Sequence, residues 1–278
     1  MRPITMTTIK TQDNTHLYVK DWGTGEPVIL LHGWPLSADS WDWISIKLVE
    51  AGYRVISYDR RGFGRSDQPW EGYNYNTLAD DLKEVIEQKQ LENVSIIGFS
   101  MGGGEVARYL SRHQGKNIKK AVLISSVVPY LVKTENHPEG VDGSVFEGMI
   151  QDILEDRNKF FAGFFKDFYG VGMLSRPVSN EFLEWNVRVA TTASLKATVD
   201  CIRAFAYTDF RPDLSAFNIP TLVIHGTKDK TVPIEITAHI VNQSLPHAKL
   251  IEYEGEPHGV LETQKERIAD DLIHFLNS

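Results

Sequence analysis

A serine hydroxyl becomes a nucleophile only when a base removes its proton and an acid holds that base in place, so serine, histidine and carboxylate work as a set. The chain offers such a set. Val94-Ser95-Ile96-Ile97 is an apolar strand-like run that leads into Gly98-Phe99-Ser100-Met101-Gly102 and then into a helical pattern carried by Val106, Ala107 and Leu110. A serine in G-x-S-x-G between strand and helix sits on a tight turn, and the flanking glycines remove Cβ atoms that would collide there. Its hydroxyl stands at a helix N-terminus, where free N–H groups and the macrodipole favour a developing oxyanion. Asp229 follows the run Thr221–Ile224, inside His225-Gly226-Thr227-Lys228-Asp229-Lys230-Thr231-Val232-Pro233. His258 follows the run Lys249–Tyr253, inside Gly255-Glu256-Pro257-His258-Gly259. Alone, Asp229 between two lysines reads equally well as a solvated turn residue, and His258 as a turn histidine. The joint order Ser100, Asp229, His258, each beyond the end of a strand, points to nucleophile, acid and base. The loop after Ala121–Ile124 carries Ser125 and Ser126 but no carboxylate, and Asp59 and Glu105 read as structural.

A fourth part is needed to hold the negative charge of a tetrahedral intermediate. The apolar run Val28–Leu31 ends in His32-Gly33-Trp34-Pro35. Gly33 permits a sharp loop there, from which the Trp34 backbone N–H can stand beside that of Met101. Each such donor is typically worth about 3 kcal/mol of transition-state stabilisation. The Trp34 ring can wall the same pocket, and Trp34, Pro35 and Phe99 are the expected substrate-pocket residues. Other chemistries find little support. Nine histidines carry no H-E-x-x-H, and no C-x-x-C occurs, so no metal is expected, and His32 and His225 read as local structure at strand ends. Gly62-Phe63-Gly64 lacks the third glycine of a dinucleotide fingerprint, and the Gly98–Gly104 stretch lacks the Lys-Ser/Thr of a P-loop, so no cofactor is expected.

These residues require a parallel sheet to place them. Eight strands are predicted, at Thr7–Lys10, Leu17–Trp22, Val28–Leu31, Arg54–Tyr58, Val94–Ile97, Ala121–Ile124, Thr221–Ile224 and Lys249–Tyr253. Several are continuously apolar, as in strands buried on both faces. Amphipathic stretches separate them: one helix is predicted after Ser40, and one after Thr77 with Asp80 and Asp81 in its first turn. Such alternation gives an α/β fold with helices on both faces of a mostly parallel sheet. Residues 141 to 210 break the rhythm: they hold nine of the 13 phenylalanines and read as helices, with Phe160, Phe161, Phe164, Phe165 and Phe168 at helical spacing. Residues 1–128 and 216–278 are therefore expected to form the catalytic body, and 129–215 a helical cap.

Composition limits the setting. With 278 residues and a formal net charge of -8, lacking any basic block, the chain does not resemble a nucleic-acid binder. No apolar run approaches a membrane span, and the N-terminal stretch through Tyr18 has no leader-like apolar region. Cys201 is the single cysteine, so no internal disulfide is available and a cytoplasmic setting is expected. The oligomeric state is open, a homo-oligomer included.

The run from Gly98 to Tyr109 resembles that of the cofactor-free, non-heme haloperoxidases, a branch of the α/β-hydrolases. So do His32-Gly33-Trp34-Pro35-Leu36, Tyr58-Asp59-Arg60-Arg61-Gly62-Phe63-Gly64, Asp200-Cys201-Ile202-Arg203-Ala204-Phe205 and Thr208-Asp209-Phe210. The likeness covers nearly the whole chain. That branch includes aryl esterases, perhydrolases and γ-lactamases. The resemblance implies a Ser100–Asp229–His258 triad with Trp34 and Met101 amides at the oxyanion. It also implies peroxidase activity without heme or metal, in which an acyl-enzyme is attacked by hydrogen peroxide and the peracid oxidises halide in solution. Small esters, carboxylic acids, lactams and hydrogen peroxide are the implied partners. Members with proline after the oxyanion tryptophan, here Pro35, lean toward perhydrolysis. A lactamase or amidase on the same triad, or a slow-turnover binding protein, is the alternative. Dehalogenases and epoxide hydrolases place an aspartate where this chain has Ser100. The sequence departs from its relatives at Gln264, where histidine is common, which bears on support for the His258 loop.

Overall fold

The computed structural model describes residues 7–278; residues 1–6, which open the N-terminal stretch read above as lacking a leader's apolar region, lie outside the described residues. Eight strands form one sheet: β1 Thr8–Lys10, β2 His16–Trp22, β3 Pro27–Leu31, β4 Arg54–Tyr58, β5 Val94–Phe99, β6 Ile118–Ile124, β7 Thr221–Gly226 and β8 Lys249–Tyr253, in the order β1-β2-β4-β3-β5-β6-β7-β8. The first two join antiparallel, and from β4 to β8 every pairing is parallel. All eight predicted strands are present. The central ones are buried on both faces, which is why Val28 to Leu31 and Val94 to Phe99 read as unbroken apolar runs. Parallel registers such as Leu31 with Gly98 and Ile124 with Ile224 align the carboxyl ends of β3, β5, β6 and β7 along one edge. That edge is where loops from parallel strands converge.

The helices are α1 Asp42–Glu50, α2 Tyr75–Gln88, α3 Met101–Arg112, α4 Gly143–Phe168, α5 Asn180–Thr192, α6 Leu195–Tyr207, α7 Ala238–Ser244, α8 Val260–Thr263 and α9 Lys265–Asn277. The helix expected after Thr77 starts earlier, at Tyr75. Asn74 caps it, its side chain accepting from the Thr77 N–H at 3.1 Å. Asp80 and Asp81 thus fall beyond the first turn and serve ion pairs instead: Asp81 is buried and receives Arg61 Nε and Nη2, each at 2.6 Å. Helices α4, α5 and α6 lie between β6 and β7. The phenylalanine stripe lies on α4, with Phe161, Phe165 and Phe168 buried and Phe160 and Phe164 partly so. Backbone angles leave the helical range at Asp156, whose carboxylate caps the Lys159 N–H at 3.0 Å, so α4 is two helical pieces joined at a kink. No helix among the described residues is long and apolar enough to cross a membrane.

Candidate active site

Ser100 follows directly on β5 and precedes α3, with φ +53° and ψ −118°, a conformation that non-glycine residues rarely adopt. Such strain persists where the surroundings over-determine it. Here the Ser100 N–H donates to Ile124 O at 2.8 Å and its carbonyl accepts from Gly103 N at 3.0 Å. The two glycines of the motif serve close approach: a Cβ on Gly98 would lie 2.4 Å from Gly102 O, and one on Gly102 would lie 2.4 Å from Leu31 O. The elbow can therefore form only with backbone packed on backbone.

The loops after β7 and β8 bring the other two residues to it. His258 Nε2 lies 2.9 Å from Ser100 Oγ, and Nδ1 lies 2.6 Å from Asp229 Oδ2. An ionised carboxylate only accepts, so Nδ1 carries the hydrogen and Nε2 is free to take the serine proton. Asp229 is held ionised. Burial raises a carboxyl, but here the two facing imidazoles, His258 first and then His225, outweigh it and lower the carboxyl to about 2. The Thr231 and Val232 N–H groups donate to Oδ1 at 2.9 and 2.8 Å. Gln264 and Thr263 both donate to the Glu256 carboxylate at 2.7 Å, tying down the loop that carries His258. Gln264 thus provides local support for that loop.

The loop after β3 is where the fourth part is expected. Neither the Trp34 nor the Met101 N–H finds a backbone acceptor among the described residues, and Met101 opens α3, where N–H groups have no intrahelical partner. The Trp34 ring is fixed by Nε1–H donating to Thr198 O at 3.0 Å and by Phe161, Phe164 and Phe205 at centroid distances of 5.4 to 5.7 Å. Sequence reasoning left the support of this loop unread. His32 Nε2 accepts from the Arg60 N–H at 3.0 Å, so its Nδ1–H faces Gly33 O at 2.9 Å; burial, then Arg60, hold the ring well below its ordinary pKa. The Arg60 guanidinium donates to His32 O at 2.6 Å and to Glu105 Oε1, with Nε at 2.7 Å. Both partners of this ion pair are buried. A single buried pair therefore ties the Trp34 loop to α3, the element carrying Met101. The double basic pair in Asp59-Arg60-Arg61, beside a glutamate one turn into the helix after Ser100, is the signal that could have found it.

Above Ser100 lies a cavity of about 390 Å³. Its floor is Ser100, His258 and Trp34, and its walls are mostly apolar, among them Val127, Leu131, Phe146, Phe164, Phe168 and Phe205. Trp34 stands where a pocket residue was expected, but Pro35 and Phe99 are not on this wall. Pro35 is buried in the loop behind Trp34. Phe99 is the last residue of β5, and its ring packs under His258 at 5.2 Å and against Phe168 at 6.0 Å, so it backs the imidazole without lining the cavity. Cys201 is fully buried, and burial pushes its thiol up to about 12, in keeping with a packing role. Among the described residues no three His, Cys, Asp or Glu side chains are grouped to hold a metal ion.

Residues 26–264 match the family model of the alpha/beta hydrolase fold. A non-heme chloroperoxidase of Kitasatospora aureofaciens is 40% identical over 271 residues, covering 96% of this chain and 98% of that protein. A bifunctional esterase/perhydrolase of Acinetobacter calcoaceticus is 39% identical over 277 residues, covering 97% and 99%. Among solved structures, a bromoperoxidase from Bacillus anthracis superposes with a TM-score of 0.94 at 47% identity, covering 98% of this chain and 99% of that one. The chain belongs to the α/β-hydrolase fold family, in the branch of the non-heme haloperoxidases and their esterase and perhydrolase relatives.

Proposed function

We propose that this protein is a serine esterase and perhydrolase, with Ser100 as nucleophile, His258 as general base and acid, Asp229 as orienting acid, and the Trp34 and Met101 amides as oxyanion donors. The observation that carries this reading is the continuous Ser100–His258–Asp229 chain opening into an apolar cavity. His258 Nε2 takes the Ser100 proton as Oγ attacks the carbonyl carbon, and the oxyanion rests on the two N–H groups. His258 then protonates the leaving oxygen, which departs as the alcohol or, from a carboxylic acid, as water. The resulting acyl-enzyme is attacked by water or by hydrogen peroxide, again deprotonated by His258, releasing a carboxylic acid or a peracid. The peracid oxidises halide away from the protein. The relatives' names support the peroxide route, and the relative named as both esterase and perhydrolase supports one site for the two acceptors.

In this reading residues 129–215 form the cap and residues 1–128 with 216–278 the body, every catalytic group belonging to the body. The apolar walls fit small, fairly apolar acyl groups. The lone buried cysteine fits a cytoplasmic setting. The test is steady-state turnover of an activated aryl acetate. Sustained turnover, together with stoichiometric labelling of Ser100 by an aryl phosphonate, supports the enzyme; a single slow burst of about one equivalent points to a binding protein that retains the triad.

A further inference from the structure

His225 is the fifth residue of β7, fully buried, and it has no part in the proton path from Ser100 to Asp229. Its Nε2 lies 2.8 Å from Val232 O and 3.2 Å from Asp229 Oδ2. Both neighbours are acceptors, so Nε2 carries the ring's hydrogen, and in the neutral ring Nδ1 is a bare acceptor. That Nδ1 is buried without a hydrogen-bond partner among the described residues. A buried unsatisfied nitrogen is destabilising, and an apolar residue would avoid it. What histidine provides in return is one N–H facing both the Val232 carbonyl and the triad carboxylate. Val232 is then held at both ends, its N–H by Asp229 Oδ1 and its carbonyl by His225. Asp229 Oδ2 is the same oxygen that receives His258 Nδ1 at 2.6 Å, so its charge is shared between two imidazoles. These two rings are the titratable groups facing Asp229, while Lys228 and Lys230 on either side of it are exposed.

We infer that His225 is a positioning residue of the active site, fixing the Asp229 loop and limiting how strongly the carboxylate holds the proton of His258. This rests on the triad reading above. Removing the Nε2 donor concentrates the Oδ2 charge on His258, which favours the imidazolium. The free base is then available only at higher pH.

The test compares His225→Leu, which deletes the donor, with His225→Gln, whose Nε2 amide can restore it, using an aryl acetate. His225→Leu is expected to lower kcat about tenfold, the scale for one hydrogen bond to a charge. KM should stay within about twofold, because His225 does not line the cavity, and the acid limb of kcat/KM should move to higher pH. His225→Gln is expected to recover most of both. If His225→Leu does not fold, His225→Asn replaces it, since its shorter amide does not reach the Nε2 position. A wild-type rate and pH profile in the donor-deleted variant overturns the inference. So does an equal loss in the Gln variant with no movement of the acid limb, which would mean packing alone. Ser100→Ala, assayed alongside, separates the two levels. Turnover surviving in Ser100→Ala sinks the triad reading, whereas an inactive Ser100→Ala beside a wild-type-like His225→Leu sinks only the role of His225.

Discussion

Replacing Glu105 with leucine removes the only carboxylate among the described residues that pairs with the Arg60 guanidinium, leaving that cation buried with His32 O as an acceptor. Removing one member of a buried ion pair typically costs about 3–5 kcal/mol, because the other charge stays desolvated and uncompensated. For a chain of 278 residues the unfolding entropy is about 0.6 kcal/mol/K. The melting midpoint should therefore fall by about 5–9 °C, measured by scanning fluorimetry or near-ultraviolet circular dichroism. Activity should fall as well, at temperatures where the variant is folded. The guanidinium joins the Trp34 loop to α3, and displacing one oxyanion donor costs up to about a hundred- to a thousandfold in kcat. Partial displacement should cost about tenfold or more, with KM little changed. The double variant Arg60→Met/Glu105→Leu removes both charges and should regain most of the midpoint while kcat stays low, since His32 O has then lost its donor. A single variant that melts within a degree of wild type would refute the argument, because Arg60 would then be neutralised by something other than Glu105.

Two further outcomes follow from other parts of the molecule. Because the Asp229 carboxyl is lowered from 3.8 to about 2, its ionisation adds stability that is present above about pH 4 and lost as pH falls toward 2. The amount is about 2 kcal/mol, and urea midpoints recorded against pH should show that loss in wild type and lack it in Asp229→Asn; parallel curves would contradict it. Lys120 is buried and its ammonium donates to the Phe275, Leu276 and Ser278 carbonyls at 2.7 to 2.9 Å. Lys120→Met should lower the melting midpoint by about 2–5 °C through orphaned carbonyls at the end of α9, with kcat unchanged; an unchanged midpoint would mean that water replaces the ammonium without loss.

Much of the arrangement was legible because the strands announce themselves. A parallel sheet buried on both faces needs unbroken apolar runs, and the active residues sit within a few positions of where those runs end. The same property hid which way Phe99 faces: in a strand buried on both sides, hydrophobicity does not alternate, so nothing in the sequence separates the cavity side from the side behind His258. Helix α2 began before its predicted start because Asn74, a better cap than the acidic pair downstream, stood four residues upstream of Leu78, where the apolar repeat begins. Asp80 and Asp81 suggested a first turn, yet Asp81 is bound to Arg61, a partner twenty positions away. Arg60 with Glu105, and His225 with Asp229, escaped notice as supports for similar reasons. Their meaning lies in which atoms the fold brings within 3 Å, and spacing along the chain does not carry that.

In the proposed mechanism one serine makes both the acid and the peracid. The direct measurement is Ser100→Ala in two assays on one preparation: hydrolysis of an aryl acetate, and bromination of a dimedone dye with acetate, bromide and hydrogen peroxide. Both rates should fall by roughly a thousandfold or more while the melting midpoint stays close to wild type, since alanine keeps the same backbone conformation and removes only the hydroxyl. Bromination that persists after hydrolysis has vanished would contradict it, because the peracid would then be formed somewhere other than on Ser100.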